Sequence, residues 1–459
     1  MSTVLRPDLC VLGAGSAGLV VAAGASQMGA SVVLLEPGEM GGDCLNYGCV
    51  PSKALLSAAA TSPRPSYGQA MANVERAIQA IAPNDSQARF EGLGVNVIRQ
   101  AGRFLDQRTV ETGDGQQIKA RRFVIATGAR AMVPPIPGLE DTPFLTNETL
   151  WRLREPPAHL IILGGGPIGC EMALAHARLG CKVTVVEMNQ ILPKDDPELV
   201  DLLRQKLADE GVVIREGAAA RQVSTDAGGI VVILSDGQMI SGSHLLVAAG
   251  RKANVERLDC DAAGIVLERG AIKTDTRMLT TNNHVYAIGD VAGGPQFTHA
   301  AAYQAGIVIK RALFQLPAKA DHEQMPWVTY TDPELAHIGL TEAMARERHG
   351  GELRILRWPF AENDRAIATG KLDGLVKAIT TPKGRILGCS ILGQNAGELI
   401  LPWCLAIQNK LKIGAMAQVT APYPTLSEAS KRAAGSYYTD SLFSPRTRGI
   451  VRFLQRWLP

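Results

Sequence analysis

Cys44 and Cys49 stand five residues apart in the run Gly41-Gly-Asp-Cys-Leu-Asn-Tyr-Gly-Cys-Val-Pro-Ser-Lys53. Pro51 falls near the first position of a predicted helix, where both the helix dipole and the Lys53 ammonium favour a thiolate. Zinc would need a second ligand pair at similar spacing, and the sequence has none. Redox chemistry and buried, inert thiols are the readings left open.

The elements that must position these thiols carry a second kind of chemistry. Leu9–Leu12 reads as a strand running into Gly13-Ala-Gly15-Ser-Ala-Gly18, then a helix, then a strand ending at Glu36. The first glycine allows a tight turn, the second lets a pyrophosphate approach the backbone, and the third lets helix and strand pack. Glu36 would accept hydrogen bonds from a ribose. The pattern recurs: Leu160–Leu163 leads into Gly164-Gly-Gly166-Pro-Ile-Gly169, and a later strand ends at Glu187. Both acids follow their first glycine by the same number of residues, which implies two dinucleotides, one in each of two domains. An acid at the ribose position accepts a 2′-hydroxyl and repels a 2′-phosphate, and no Arg or Lys follows Glu187 in Met188-Asn-Gln190. The second site is therefore predicted to take NAD(H), with NADP(H) disfavoured.

The 459 residues suggest about three domains. Lys plus Arg number 47 against 44 Asp plus Glu, a charge of +3 spread along the chain, which excludes a nucleic-acid footprint across the body. Eight cysteines are too few for a disulfide scaffold and fit redox chemistry in a reducing compartment. Leu9 to Leu35 carries no charge, yet its glycines and its strand-helix-strand pattern exclude a membrane span or a signal peptide. The expectation is a cytoplasmic protein with no resident metal and no nucleic-acid partner.

The stretch Gly41 to Lys53 resembles the redox-active disulfide motif of the class I FAD-dependent pyridine nucleotide-disulfide oxidoreductases, the group of dihydrolipoamide dehydrogenase, glutathione reductase and mercuric reductase. Ala126-Thr127-Gly128 and Ala248 to Arg251 resemble the family's two domain-crossing loops, Tyr286 to Asp290 its second flavin motif, and Tyr330 to Gly339 the start of its dimerisation domain. The resemblance covers nearly the whole chain. It implies an α/β fold of two Rossmann-like dinucleotide-binding domains, for FAD and NAD(P), plus an α+β C-terminal dimerisation domain. The implied order is 1–147 for FAD, including the redox disulfide, 148–272 for NAD(P), 273–320 for FAD again, 321–443 for the dimer interface, and a tail at 444–459.

The resemblance also implies roles. Cofactor binding falls to Gly13, Gly15, Gly18, Glu36, Gly42, Lys53, Ala126, Thr127, Gly128 and Asp290, and to Gly164, Gly166, Gly169, Glu187, Gly250 and Arg251. The first fingerprint with Glu36 holds the FAD adenosine half, Asp290 the ribityl chain, and the second fingerprint the nicotinamide cofactor. Cys49 would be the thiol against the flavin and Cys44 the interchange thiol, while Lys53 and Glu171 would form an ion pair that tunes hydride delivery. Pro167 stands where many relatives have an aromatic or aliphatic residue gating the nicotinamide pocket, a role to which a rigid proline is poorly suited.

The pattern breaks at one catalytic position. Disulfide-reducing members carry a His followed by Pro, with a Glu five residues after the His, and the other subunit supplies this His as proton shuttle. Here Tyr423 holds the histidine's place in Ala421-Pro-Tyr423-Pro-Thr-Leu-Ser-Glu428, and the last histidine in the chain is His349. A phenol of pKa about 10 is a poor base at neutral pH, and losing a positioned base costs about 10²–10⁴-fold. Mercuric reductases resemble the chain better here, since they carry a tyrosine too. Their N-terminal metal-binding domain and C-terminal cysteine pair have no counterpart, Cys404 being the last cysteine, so mercuric ion would have to come straight to Cys44 and Cys49.

Arg448, Arg452 and Arg456 recur every four residues among Ile450, Val451, Phe453, Leu454, Trp457 and Leu458, which predicts a basic amphipathic helix. It would dock on the dimer surface, with peripheral membrane contact as the alternative. The resulting expectation is a homodimeric FAD enzyme passing electrons from NADH through the Cys44–Cys49 disulfide to a small-molecule acceptor: a soft metal ion or other electrophile, mercuric reductase-like, or a reactive disulfide. Dihydrolipoamide dehydrogenase activity is the alternative, and a membrane- or partner-docked flavoprotein subunit is the alternative of another class.

Overall fold

The computed structural model describes residues 4–458. The chain divides into two compact units, one running to Gln190 and resuming over Gly211–His322, the other built from Ile191–Glu210 and everything from Glu323 onward.

In the first unit Leu9–Leu12 is buried at all four positions, as a central strand covered on both faces must be. It pairs in parallel with Val32–Leu35 and Arg122–Ile125, and Asn96–Ile98 and Val285–Ala287 complete a five-stranded parallel sheet. The helices Ser16–Gln27 and Thr298–Phe314 pack on one face through Leu19, Val21, Ala22 and Ala25 with Ala301, Ala305 and Val308. The Gly13 turn thus lies at the carboxyl end of the central strand, where open α/β sheets bind ligands. A second parallel sheet of the same unit orders Val212–Arg215, Lys182–Val186, His159–Leu163 and His244–Val247. Between the two nucleotide folds, Ala129–Ala131 pairs antiparallel with Arg251–Ala253, each strand starting just past a glycine of positive φ, Gly128 and Gly250.

The second unit is a five-stranded antiparallel sheet ordered Trp327–Thr329, Glu334–Gly339, Ile386–Gly393, Leu375–Thr380 and Arg354–Pro359. Its central strand, Ile386–Gly393, is buried at every position. Trp403, Phe360 and the helix Glu428–Ser436, through Ala429, Ala433 and Ala434, close the core. The helix Pro197–Asp209 belongs to this unit although its sequence falls inside the 148–272 segment. A buried charge cluster holds it there. Lys377 Nζ lies 2.8 Å from Asp196 and Glu198 and 2.9 Å from Glu342, with the Lys377 and Asp196 side chains 4% and 0% exposed. The three carboxylates outweigh burial and keep the Lys377 ammonium above its usual pKa.

No helix among the described residues is long and apolar enough to cross a membrane. The last helix, Pro445–Leu454, is capped by the Ser444 side chain and buries none of its residues.

Candidate active site

Cys44 and Cys49 occupy two helices rather than one helix start. Cys44 lies within the short helix Gly42–Asn46, and Cys49 is the first residue of Cys49–Ala59, because Gly48 breaks the helical path between them at φ −117° and ψ −107°. Both are free thiols. A hydrogen bond from Cys44 lowers the Cys49 thiol to about 6, with help from Thr298 and the Lys53 charge, while the same bond and, after it, burial raise Cys44. The pair therefore holds its negative charge on Cys49. Thr298, the first residue of its helix, sits 3.5 Å from Cys49 Sγ. Below the pair, Lys53 Nζ donates to Glu171 Oε2 at 2.7 Å, and the Glu171 side chain is 5% exposed.

The two glycine turns have the same steric logic. A Cβ on Gly13 would come within 2.4 Å of the Ala126 carbonyl, and one on Gly164 within 2.4 Å of the Ala248 carbonyl; both glycines have positive φ, at +107° and +112°. A Cβ on Gly18 or Gly169 would strike the carbonyl of Gly13 or Gly164 at 1.9 and 2.0 Å. The middle glycines differ: Gly166 has nothing within 4 Å, and Gly15 meets only the Gly42 backbone. Those are the cradles a side chain would fill and a pyrophosphate can enter, so the residues fit dinucleotides. Gly42 in turn must be glycine, since its Cβ would lie 2.6 Å from Gly15 Cα. Glu36 accepts from the Ala14 and Gly38 amides, and Glu187 from the Gly165 and Asn189 amides, so each acid is tied back to its own glycine turn.

Arg251 does other work than sequence alone suggests. Its guanidinium bridges Asp290 Oδ2 at 3.1 Å and Asp43 Oδ2 at 3.2 Å and donates to the Ala129 carbonyl at 2.7 Å. Asn147 completes the group by donating to Asp43 at 2.8 Å. This bracket ties the helix of Cys44 to the turn of Asp290, whose carboxyl burial pushes up in pKa. Thr127 and Asn254 exchange two hydrogen bonds beside it, and Gly289 donates to Gln304. His299 stacks on Phe297.

In the second unit Tyr423 is 70% exposed, and its phenol donates to Asp364 Oδ2 at 3.0 Å. That bond raises the phenol above its usual pKa, with a smaller contribution from the Glu428 charge. Glu428 opens the helix Glu428–Ser436. Among the described residues no group of three or more His, Cys, Asp or Glu is placed to hold a metal ion.

Residues 7–305 match the family model for pyridine nucleotide-disulphide oxidoreductases, and residues 325–434 match the dimerisation domain of the same family. The chain belongs to the pyridine nucleotide-disulphide oxidoreductases. It is similar to the mercuric reductase of Bacillus cereus, 34% identical over 94% of this chain and 72% of that protein. It is also similar to the dihydrolipoyl dehydrogenase of Bacillus subtilis, 31% identical over 94% of this chain and 96% of that one. Among solved structures, the Cu(II) complex of the HOCl-induced flavoprotein disulfide reductase RclA from Escherichia coli superposes with a TM-score of 0.89 at 29% identity, covering 94% of this chain and 99% of that one. The oxidoreductase is accordingly an FAD enzyme that uses a pyridine nucleotide.

Sequence reasoning about this oxidoreductase passes over Thr298, whose only sequence signal is that it opens the helix after the second flavin motif. Its effect is measurable. Replacing Thr298 with Val is expected to raise the pH midpoint for alkylation of the reduced enzyme from about 6 by about one unit, the worth of one hydrogen bond to a charged group. The thiolate is lost as pH falls through the midpoint, so the variant should be slower at pH 6 to 7 and equal to wild type at pH 9. An unchanged midpoint would show that the 3.5 Å contact carries no charge stabilisation.

Proposed function

We propose that this oxidoreductase is an NADH-dependent reductase of a thiophilic metal ion, of the mercuric reductase type, acting as a cytoplasmic homodimer. The observation that carries the reading is Tyr423, a phenol that donates to Asp364 and is held protonated by it, where disulfide reductases need a base. Several relatives named mercuric reductase, and the Cu(II) complex of RclA, agree with a soft-metal acceptor. Cupric ion is the second acceptor to try.

The sheet built around Leu9–Leu12, with Asp290, forms the FAD domain, and the sheet around His159–Leu163 the NAD domain. Bound FAD supplies a two-electron relay between the pyridine nucleotide and the thiol pair. Cys44 and Cys49 bind the metal ion as thiolates, the soft ligands such ions select. Cys49 is ready at neutral pH, and the proton of Cys44 leaves as the metal binds. Lys53 and Glu171 form an ion pair that would hold charge and position beside a bound flavin, and the Arg251 bracket fixes the Cys44 helix against Asp290. The balance is two electrons from NADH to one divalent mercuric ion, giving NAD⁺, one proton and elemental mercury. No step requires a base on the partner subunit.

Replacing Tyr423 with His tests the reading, because Glu428 keeps the spacing that orients such a histidine in disulfide reductases. Lipoamide turnover is expected to rise by roughly 10²-fold, the worth of a general acid-base group. Rapid lipoamide turnover by the unaltered enzyme, unchanged in the variant, would refute it.

Glu187 sets the donor. The enzyme is expected to prefer NADH to NADPH in kcat/KM, and Glu187→Ala to cut that preference by about tenfold or more through loss of like-charge repulsion. A preference indifferent to the substitution would remove Glu187 from the ribose site.

A further inference from the structure

We propose that the C-terminal helix docks the enzyme on an anionic lipid surface. The helix Pro445–Leu454 runs into a tightened turn over Gln455–Trp457, in which Gln455 N and Leu458 N bond four residues back to Val451 O and Leu454 O, while Arg456 N and Trp457 N bond three back to Phe453 O and Leu454 O. At 100° per residue within the helix, Ile450 and Leu454 line the centre of one face, flanked by Val451 on one side and by Phe453 on the other, and Trp457 and Leu458, both bonded back to Leu454, follow in the closing turn. Arg448, Arg452 and Arg456 lie together on the opposite face.

Among the described residues none buries this apolar face. Phe453 is 60% and Trp457 76% exposed, and Ile450, Val451, Leu454 and Leu458 are about half exposed or more. Leu442 and Phe443, just before the Ser444 cap, are exposed as well. Single exposed apolar residues are ordinary; six on one helix face are an interaction surface.

Charge selects the occupant. Arg446, Arg448, Arg452 and Arg456 are the only charged residues from Ser441 to Leu458, and no Asp or Glu follows Asp440. An apolar face with Phe and Trp at its edge, backed by an arginine stripe without a compensating acid, matches a helix lying in a headgroup layer. Its apolar side enters the acyl boundary while the arginines reach anionic phosphates. None of these residues is among those assigned to the redox site, and the inference stands whichever electron acceptor the enzyme uses.

The test is co-sedimentation of the full-length holoenzyme with vesicles of phosphatidylcholine alone and of phosphatidylcholine with phosphatidylglycerol. Binding is expected with the anionic vesicles at low salt, falling as salt rises. The triple substitution Arg448→Gln, Arg452→Gln and Arg456→Gln should lower the partition coefficient by roughly 100-fold. Phe453→Ser with Trp457→Ser should abolish binding, and both variants should keep NADH-dependent turnover in solution. Protein left in the supernatant at low salt would overturn the proposal, as would equal binding to uncharged vesicles. So would conversion of the dimer to monomers on deleting residues 444–459, which would show that the helix covers a second copy of the chain.

Discussion

Replacing Cys44 with Ser is expected to lower acceptor turnover on the order of 10⁴-fold or more while leaving reduction of the bound flavin by NADH intact. The magnitude is that of losing a nucleophile with no neighbour able to replace it. The other six cysteines, Cys10, Cys170, Cys181, Cys260, Cys389 and Cys404, are all buried, and burial raises the thiol pKa of Cys10, Cys181, Cys260, Cys389 and Cys404. The split between the two half-reactions is the diagnostic. Cys44 also donates the bond that contributes most to the low pKa of Cys49, so the variant should show a Cys49 midpoint above about 6. Stopped-flow flavin reduction and steady-state NADH oxidation, measured on one preparation, read both halves. Undiminished acceptor turnover would mean that electrons leave the flavin without the thiols, as in a simple diaphorase.

The second large effect lies in the fold. Lys377→Met is expected to destabilise the second unit by about 3–5 kcal/mol, the cost of stranding a buried charge. Methionine matches the lysine stem in volume, but it leaves Asp196 fully buried opposite Glu198 and Glu342 without a counter-ion. The residual partner, Arg357, reaches Glu198 at 2.8 Å and holds that carboxyl down to about 2. It does not reach Asp196 by any ion pair among the described residues. Asp196 also caps the helix Pro197–Asp209 by accepting from the Glu198 amide, so that helix should loosen first. Trp327, which donates to Asp195 at 2.8 Å, reports the loss by its emission during urea unfolding. A change below about 1 kcal/mol would mean that solvent or rearrangement satisfies Asp196 without the lysine.

What could be read in the residues follows from how local each feature is. The strand Leu9–Leu12, its glycine turn and Glu36 form one short continuous segment, and the steric demand for glycine at 18 acts within it, whereas that at 13 comes from the remote Ala126 carbonyl. The same holds for Lys182–Val186 ending before Glu187. The redox pair is legible for the same reason, although the break at Gly48 that separates its two helices is not, because glycine permits a turn without requiring one. Partners brought from afar leave no such trace. Arg251 meets Asp43 and Asp290 only once three segments converge, and Thr298 reaches Cys49 across most of the first unit. Lys377 sits in a strand where alternation alone gives no reason to expect a charge inside, and its carboxylates arrive from Asp196, Glu198 and Glu342. The departure at Tyr423 is visible in the motif, whereas the Asp364 that fixes its protonation is not.

On the function proposed, the Cys44–Cys49 pair serves a soft metal ion and not an ordinary disulfide. The most direct test is anaerobic NADH oxidation by the purified holoenzyme with mercuric ion buffered by excess thiol and, separately, with lipoamide. Fast turnover with mercuric ion and negligible turnover with lipoamide are expected. Fast lipoamide turnover with none on mercuric ion would contradict the proposed function, and would mean that a group other than a histidine at position 423 moves the thiol proton.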